Sequence, residues 1–137
     1  MSNIEQTFSI IKPDAVERNL DNEIKEIFKN KGFKIIKEKK IQIEKSEAEK
    51  FYKVHETKPF YKDLCAYLSS GPIVVMVLRG SRAIARIRAL CGATNPSDAE
   101  PGSIRSDFGV SMTENAIHAS DSVESARREI SNFSALF

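Results

Sequence analysis

A chain of 137 residues with 41% hydrophobic and 29% charged content can bury a core without disulfide or metal staples, and reads as one domain over residues 1–137. Its 21 Lys and Arg against 19 Asp and Glu leave a net charge of +2, too little to imply nucleic-acid binding by bulk charge, though local clusters could still bind phosphate. The longest apolar run, Ile73 to Leu78, is far too short to span a bilayer, and the amino-terminal residues lack the basic and apolar regions of a signal peptide, so a cytoplasmic protein with no membrane partner is expected.

Thr7-Phe8-Ser9-Ile10-Ile11 predicts a short strand, rich in β-branched and aromatic residues and ending at Lys12-Pro13. Pro13 and Asp14 mark a helix start, with Glu17 placed to complete a capping box. Asp21 opens a helix whose Ile24, Ile27 and Phe28 recur at helical spacing, and Gly32 supplies a left-handed cap. Phe33, Ile35, Ile41 and Ile43 predict a second strand, with Ile36 out of alternation. Lys34, Lys37, Lys39, Lys40 and Lys45 make that strand a solvated edge. Ser46-Glu47-Ala48-Glu49 reads as a capping box for a helix with the apolar stripe Ala48, Phe51, Tyr52 and His55. Lys58-Pro59-Phe60 breaks it, and a shorter helix follows through Leu64, Cys65 and Leu68.

After a turn at Gly71-Pro72, Ile73 to Leu78 predicts a central strand that is apolar on both faces. Arg79-Gly80 reads as a turn and Ser81 as the cap of a helix that turns Ile84, Ile87, Leu90 and Cys91 inward and ends at Gly92. From Ala93 to Glu114 there is no periodicity, and a structureless loop of that length in a compact domain is more often functional or disordered than accidental. Ala116 to Ala119 is compatible with a strand, and Asp121 or Ser122 caps a last helix with Val123, Ala126 and Ile130 on one face. The order β-α-β-α-β-α-loop-β-α matches an α+β, ferredoxin-like (βαββαβ) domain, a four-stranded antiparallel sheet covered by helices.

The chemistry-bearing residues are few. Cys65 and Cys91 each sit in an apolar pattern and read as small buried hydrophobes. With only His55 and His118 as histidines, and neither a C-x-x-C nor an H-E-x-x-H motif, nothing supports a zinc site. His118 is set among small and polar residues, where a histidine serves as nucleophile, general base or metal ligand, or is a plain surface residue. Neither G-x-x-x-x-G-K-[ST] nor G-x-G-x-x-G occurs, so any nucleotide phosphates would have to be held by side chains such as Lys12, Arg88 and Arg105. Each of these cations alone reads first as a solvated surface charge. Tyr52 at helical spacing reads first as core, while Phe60, after a proline, is placed to offer an aromatic platform.

Four stretches resemble nucleoside diphosphate kinases: Thr7-Phe8-Ser9-Ile10-Ile11-Lys12-Pro13-Asp14-Ala15-Val16, Ala93-Thr94-Asn95-Pro96, Pro101-Gly102-Ser103-Ile104-Arg105 and Asn115-Ala116-Ile117-His118-Ala119-Ser120-Asp121-Ser122. They stand in the family's order and spacing, from about Thr7 to Glu129. The resemblance implies a ping-pong phosphotransferase that moves the γ-phosphate of ATP or another nucleoside triphosphate to a nucleoside diphosphate through a phosphohistidine on His118. It implies that Lys12, Arg88, Thr94 and Arg105 hold the phosphates, that Tyr52 and Asn115 border phosphate and sugar, and that Phe60 stacks on the base. Glu129 would orient the imidazole, with Ser120 beside it. Mg²⁺ would be the cofactor, carried mainly by the nucleotide's phosphates with no cage of protein side chains. The long loop would help form the site and the contacts of a homo-oligomer, a tetramer or a hexamer. His55 also falls on a family position but reads as structural. Ala119 and Ser106 stand where many members have glycine, and positive φ at either would mean strain, while Asn22 in place of a common glycine concerns only a helix start.

Two other readings compete. A nucleic-acid-binding module of this fold would place aromatic residues on central strands, and Ile73 to Leu78 carries none, so nucleic acid is not expected as a primary partner. A catalytically silent scaffold would more readily lack His118, Lys12 or Arg105, and all are present.

Overall fold

In the computed structural model, residues 4–111 and 114–137 are described; residues 1–3 of the amino-terminal stretch and residues 112–113 of the long loop lie outside them. Strand β1 (Ile4–Ile11) begins three residues earlier than the sequence predicts and lies inside a four-stranded sheet. It pairs antiparallel with β3 (Ile73–Ser81) on one side and with β4 (Ile117–Ala119) on the other. Strand β2 (Lys34–Ile41) adds antiparallel to the far side of β3, giving the order β2-β3-β1-β4. The ferredoxin-like expectation holds. So does the lysine-marked edge, because β2 has a neighbour on one side only. The irregular Ile36 is a bulge, with the register shifting between Ile35 and Lys37.

Both faces of the sheet are covered. Helices α1 (Pro13–Glu17), α2 (Asp21–Asn30) and α5 (Ala83–Cys91) pack Val16, Ile24, Phe28 and Ile87 against Ile11, Met76 and Leu78. On the other face α3 (Lys45–Phe51), α4 (Tyr61–Leu68) and α7 (Val123–Phe133) pack Phe51, Leu68 and Phe133 against Phe8, Ile10 and Val75. Ile73 to Leu78 is buried on both sides, as a run without alternation requires. No open face of β3 is left on which bases could stack, which removes the nucleic-acid module's working surface. Among the described residues no helix is long and apolar enough to cross a membrane, and no group of three His, Cys, Asp or Glu is arranged to hold a metal. Cys65 and Cys91 are free and buried.

Several local expectations fail for identifiable reasons. The box opening α3 is built from Glu44 and Glu47, two residues ahead of Ser46 and Glu49, because the Glu44 side chain can accept from the backbone as a serine would. The α1 start has no side-chain cap, and Asp14 directs its carboxylate to the amide of Ala116 instead. Arg79 and Gly80 continue β3 opposite Gln6 and Glu5. Gly80 is needed there because a Cβ would stand 2.5 Å from the Phe33 ring. Ser81 therefore does not cap α5; Arg82, at φ 50°, precedes it, and Glu5 Oε1 accepts from Ile84 N at 3.0 Å. The loop from Ala93 is not structureless, since a 3₁₀ turn (Pro96–Asp98) and helix α6 (Ile104–Phe108) occupy much of it. Ser122, not Asp121, caps α7, and Val123 is exposed while Ala126, Glu129 and Phe133 face inward.

Candidate active site

His118 is the central residue of β4 and pairs with Ile10 of β1, which fixes its backbone in the sheet. Its ring lies edge-on to Phe51 at 5.0 Å between centroids and tilted to Phe8 at 6.4 Å. Nε2 stands 2.8 Å from Oε1 of Glu129, which α7 presents from its buried face. The buried Ser120 hydroxyl donates to the same oxygen at 2.8 Å, and Arg128 Nη2 lies 3.7 Å from Oε2. A carboxylate that accepts from Ser120 can only accept from the imidazole as well, so Nε2 carries the proton. The Nδ1 lone pair is thereby left for chemistry.

The three cations converge around that strand, the two arginines through backbone carbonyls and the lysine through a side-chain amide. Arg105, on α6, donates from Nη1 to Gly92 O and from Nη2 to Ile117 O, each at 2.8 Å. Its Nε is buried without a partner, and burial lowers the guanidinium's pKa from its ordinary value. Arg88, in the last turn of α5, donates to Ala119 O at 3.3 Å. Lys12, between β1 and α1, donates from Nζ to Asn115 Oδ1 at 2.9 Å, and Asn115 Nδ2 donates to Thr94 O at 3.0 Å. Burial, and then Arg105, push the Lys12 ammonium down to about 8, with Asp14 pulling the other way. Two buried cations this close repel each other, and a bound anion would relieve both.

An aromatic run leads outward from His118. Phe51 meets Tyr52 at 4.9 Å, Tyr52 meets His55 at 6.4 Å, and His55 meets Phe60 at 6.2 Å between centroids. Exposure rises along it, from 4% at Phe51 and 8% at Tyr52 to 46% at Phe60. Burial raises the Tyr52 hydroxyl pKa well above its ordinary value. These rings and the cations line one cleft of about 800 Å³, within the usual size of a small-ligand site.

Lys12, Tyr52, Phe60, Arg88, Thr94, Arg105, Asn115, His118 and Glu129 all line this cleft, and Ser120 lies beneath it, fully buried. The sequence reading set His55 aside, yet it lines the cleft with Nδ1 buried and unpartnered. Its place three residues after Tyr52 and five before Phe60 was the available signal. Asp121 and Arg128 at the cleft were also missed, and nothing in their spacing would have found them. The three departures from glycine are harmless to the backbone. Among the described residues positive φ outside glycine occurs at Asn19, Arg82 and Ala116, not at Asn22, Ser106 or Ala119.

The family model described as nucleoside diphosphate kinase matches residues 5–135. The nucleoside diphosphate kinase of Geotalea uraniireducens is 54% identical over 130 residues, 95% of each chain, and that of Nitratiruptor sp. is 52% identical over 132 residues, 96% of each. Among solved structures, the Aquifex aeolicus nucleoside diphosphate kinase superposes with a TM-score of 0.93 at 42% identity, over 95% of this chain and 94% of that one. The Halobacterium salinarum nucleoside diphosphate kinase, solved in complex with CDP, superposes with a TM-score of 0.91 at 40% identity, over 94% of this chain and 86% of that one. A sheet of this order, a histidine tethered to a buried glutamate and a family match over nearly the whole length agree, and the chain belongs to the nucleoside diphosphate kinase family.

Proposed function

We propose that His118 carries the phosphate in the reaction that membership of this family brings to the chain, the ping-pong transfer of the γ-phosphate of a nucleoside triphosphate to a nucleoside diphosphate. The observation that carries this role is the 2.8 Å contact between His118 Nε2 and Glu129 Oε1. It fixes the tautomer and the ring plane, so the Nδ1 lone pair is the nucleophile. In the first half-reaction Nδ1 bonds to the γ-phosphorus as the bond to the β–γ bridging oxygen breaks, and the nucleoside diphosphate leaves with that electron pair. The imidazole gains positive charge as the N–P bond forms, and the Glu129 carboxylate stabilises it. The second half-reaction reverses these steps on a different diphosphate. One site thus serves donor and acceptor in turn.

Lys12, Arg88 and Arg105, with Thr94, supply the positive field for the phosphates, which is the main protein contribution to phosphoryl transfer. Asn115 and Tyr52 border phosphate and sugar, and Phe60, the exposed end of the aromatic run, stacks on the base. Stacking tolerates any base, which suits many nucleotide substrates. Mg²⁺ fits as a partner of the nucleotide, since it is commonly held by substrate phosphates with few protein ligands. When bound there it would neutralise phosphate charge. The family match over residues 5–135 supports reading residues 1–137 as one domain. Family membership supports assembly with further copies of the chain, as tetramer or hexamer, and a place for the enzyme in the cytoplasm. Initial rates over a grid of ATP and acceptor diphosphate concentrations test the relay. Parallel double-reciprocal lines are expected, and intersecting lines would mean direct transfer in a ternary complex.

A further inference from the structure

One buried carboxylate has no part in the transfer described above. Asp14, in α1, is 6% exposed and does not cap its own helix. Its Oδ2 accepts from Ala116 N at 3.1 Å and lies 3.5 Å from Arg18 Nη2, while Oδ1 takes a short hydrogen bond from the Tyr67 hydroxyl. Tyr67 Oη in turn accepts from Asp14 N at 2.7 Å. A carboxylate buried this deeply needs such partners, and one of them is a backbone amide from the far end of the chain.

That amide belongs to the most strained residue of the site. Ala116 sits at φ 73°, and Ile117 N donates to Asn115 O at 2.9 Å, closing a tight γ-turn that a residue with a Cβ rarely adopts. The turn joins all three ends of the phosphate-handling set. Asn115, before it, holds Lys12 Nζ; Ala116 O accepts from Lys12 N at 2.9 Å; Ile117 O, after it, holds Arg105 Nη2. His118 follows directly. Strain at such a place persists only where surrounding contacts over-determine it.

We propose that Asp14, buttressed by Tyr67, is a positioning residue for phosphate transfer, its carboxylate holding the Ala116 turn so that Lys12, Asn115, Arg105 and His118 keep one register. The inference rests on the phosphate-handling role given to those residues above. The same carboxylate has an electrostatic part. Of the charged groups facing Lys12, Arg105 on α6 works against its ammonium, as does burial, and Asp14 on α1 works for it. Arg18 and Tyr67 face Asp14 itself, and Arg88, His118 and Glu129 line the cleft beyond.

Asp14→Asn and Tyr67→Phe separate positioning from mere folding. Each variant is assayed for thermal midpoint, for the pH profile of kcat/KM, and for the Lys12 ammonium pKa by NMR with ¹⁵N-labelled lysine, a readout that needs no turnover. Asp14→Asn is expected to lose at least 10-fold in kcat/KM at pH 7 well below its melting temperature. Its alkaline limb and the Lys12 pKa should both move to lower pH, because the supporting charge is gone. Tyr67→Phe keeps that charge, so its limb stays at the wild-type position while kcat/KM falls about 3-fold to 10-fold as the turn loosens. Wild-type kcat/KM in either variant overturns the proposal, and so does a lowered midpoint in Asp14→Asn with limb and Lys12 pKa unmoved. Should Asp14→Asn fail to fold, Tyr67→Phe decides alone. A wild-type protein that takes no label from γ-labelled ATP defeats the phosphotransfer reading itself; a labelled wild type with an indifferent Asp14→Asn defeats only the role of Asp14.

Discussion

Oε1 of Glu129 is shared by His118 and Ser120, with both contacts at 2.8 Å, so a single buried oxygen on α7 fixes the imidazole of β4. Glu129→Gln keeps the shape but removes the charge that balances the imidazolium. We expect phosphoenzyme formation to slow by roughly 10-fold to 100-fold, the loss typical when a histidine's orienting partner is removed. Rapid-quench measurement of the first turnover checks this. Nucleotide affinity should change little, because Glu129 does not reach the phosphates in this account.

Lys12 makes two opposed demands. Its folded-state pKa of about 8 lies below the ordinary lysine value of 10.5, so the fold favours the neutral amine. The destabilisation is therefore fully present below about pH 8 and is relieved as pH rises from about 8 towards 10.5. Lys12→Met removes a penalty on the order of 3 kcal/mol and loses the hydrogen bond to Asn115 Oδ1, worth about 1 kcal/mol, so the variant is expected to be the more stable protein at pH 7. That advantage should shrink towards pH 10 in denaturant titrations, while phosphotransfer is lost at every pH.

The same lysine sets the alkaline limb of activity. For the free enzyme, kcat/KM should fall as pH rises through about 8. The limb of kcat should lie at higher pH, since a bound phosphate favours the ammonium. Coincident limbs would assign the titration to another group.

Phe60 is nearly half exposed, so its removal leaves the core intact. Phe60→Ala is expected to weaken binding of every nucleoside diphosphate by about 1–3 kcal/mol with little preference for the base, and to leave the melting temperature unchanged. Calorimetric titration across purine and pyrimidine diphosphates tests both statements.

Gly92 and Gly32 both adopt positive φ, at 86° and 91°, but only Gly92 has neighbours. A Cβ there would stand 2.5 Å from Ser103 Oγ, whereas at Gly32 nothing lies within 4 Å. Gly32→Ala is expected to cost about 1 kcal/mol from backbone conformation alone. Gly92→Ala adds an overpacking cost of about 1–3 kcal/mol and displaces the carbonyl that holds Arg105, so it should also lower activity. Paired melting and rate measurements separate the two.

These contrasts show what the sequence could and could not carry. The apolar run of β3, the lysine edge of β2 and the misplaced Ile36 follow from patterning, which burial enforces directly. Lys12, Arg105 and His118 stood out as candidates because they lie in motifs that follow a family's order, and the fold brings them to one cleft. Contacts between distant segments were not legible: Asp14 reaching Ala116, Glu5 reaching Ile84, and Arg105 reaching Ile117 all depend on tertiary approach. For the same reason a capping box was read two residues late, and the helix holding Arg105 was taken for loop. It is only five residues long, and its packing rather than its periodicity makes it a helix.

The most direct test is the site of phosphorylation. Protein incubated with γ-labelled ATP and Mg²⁺, then analysed under basic conditions by ³¹P–¹⁵N correlated NMR and by peptide mapping, should carry one acid-labile phosphate on Nδ1 of His118, and His118→Ala should carry none. Phosphate on Nε2, on another residue, or persisting in His118→Ala would contradict the account.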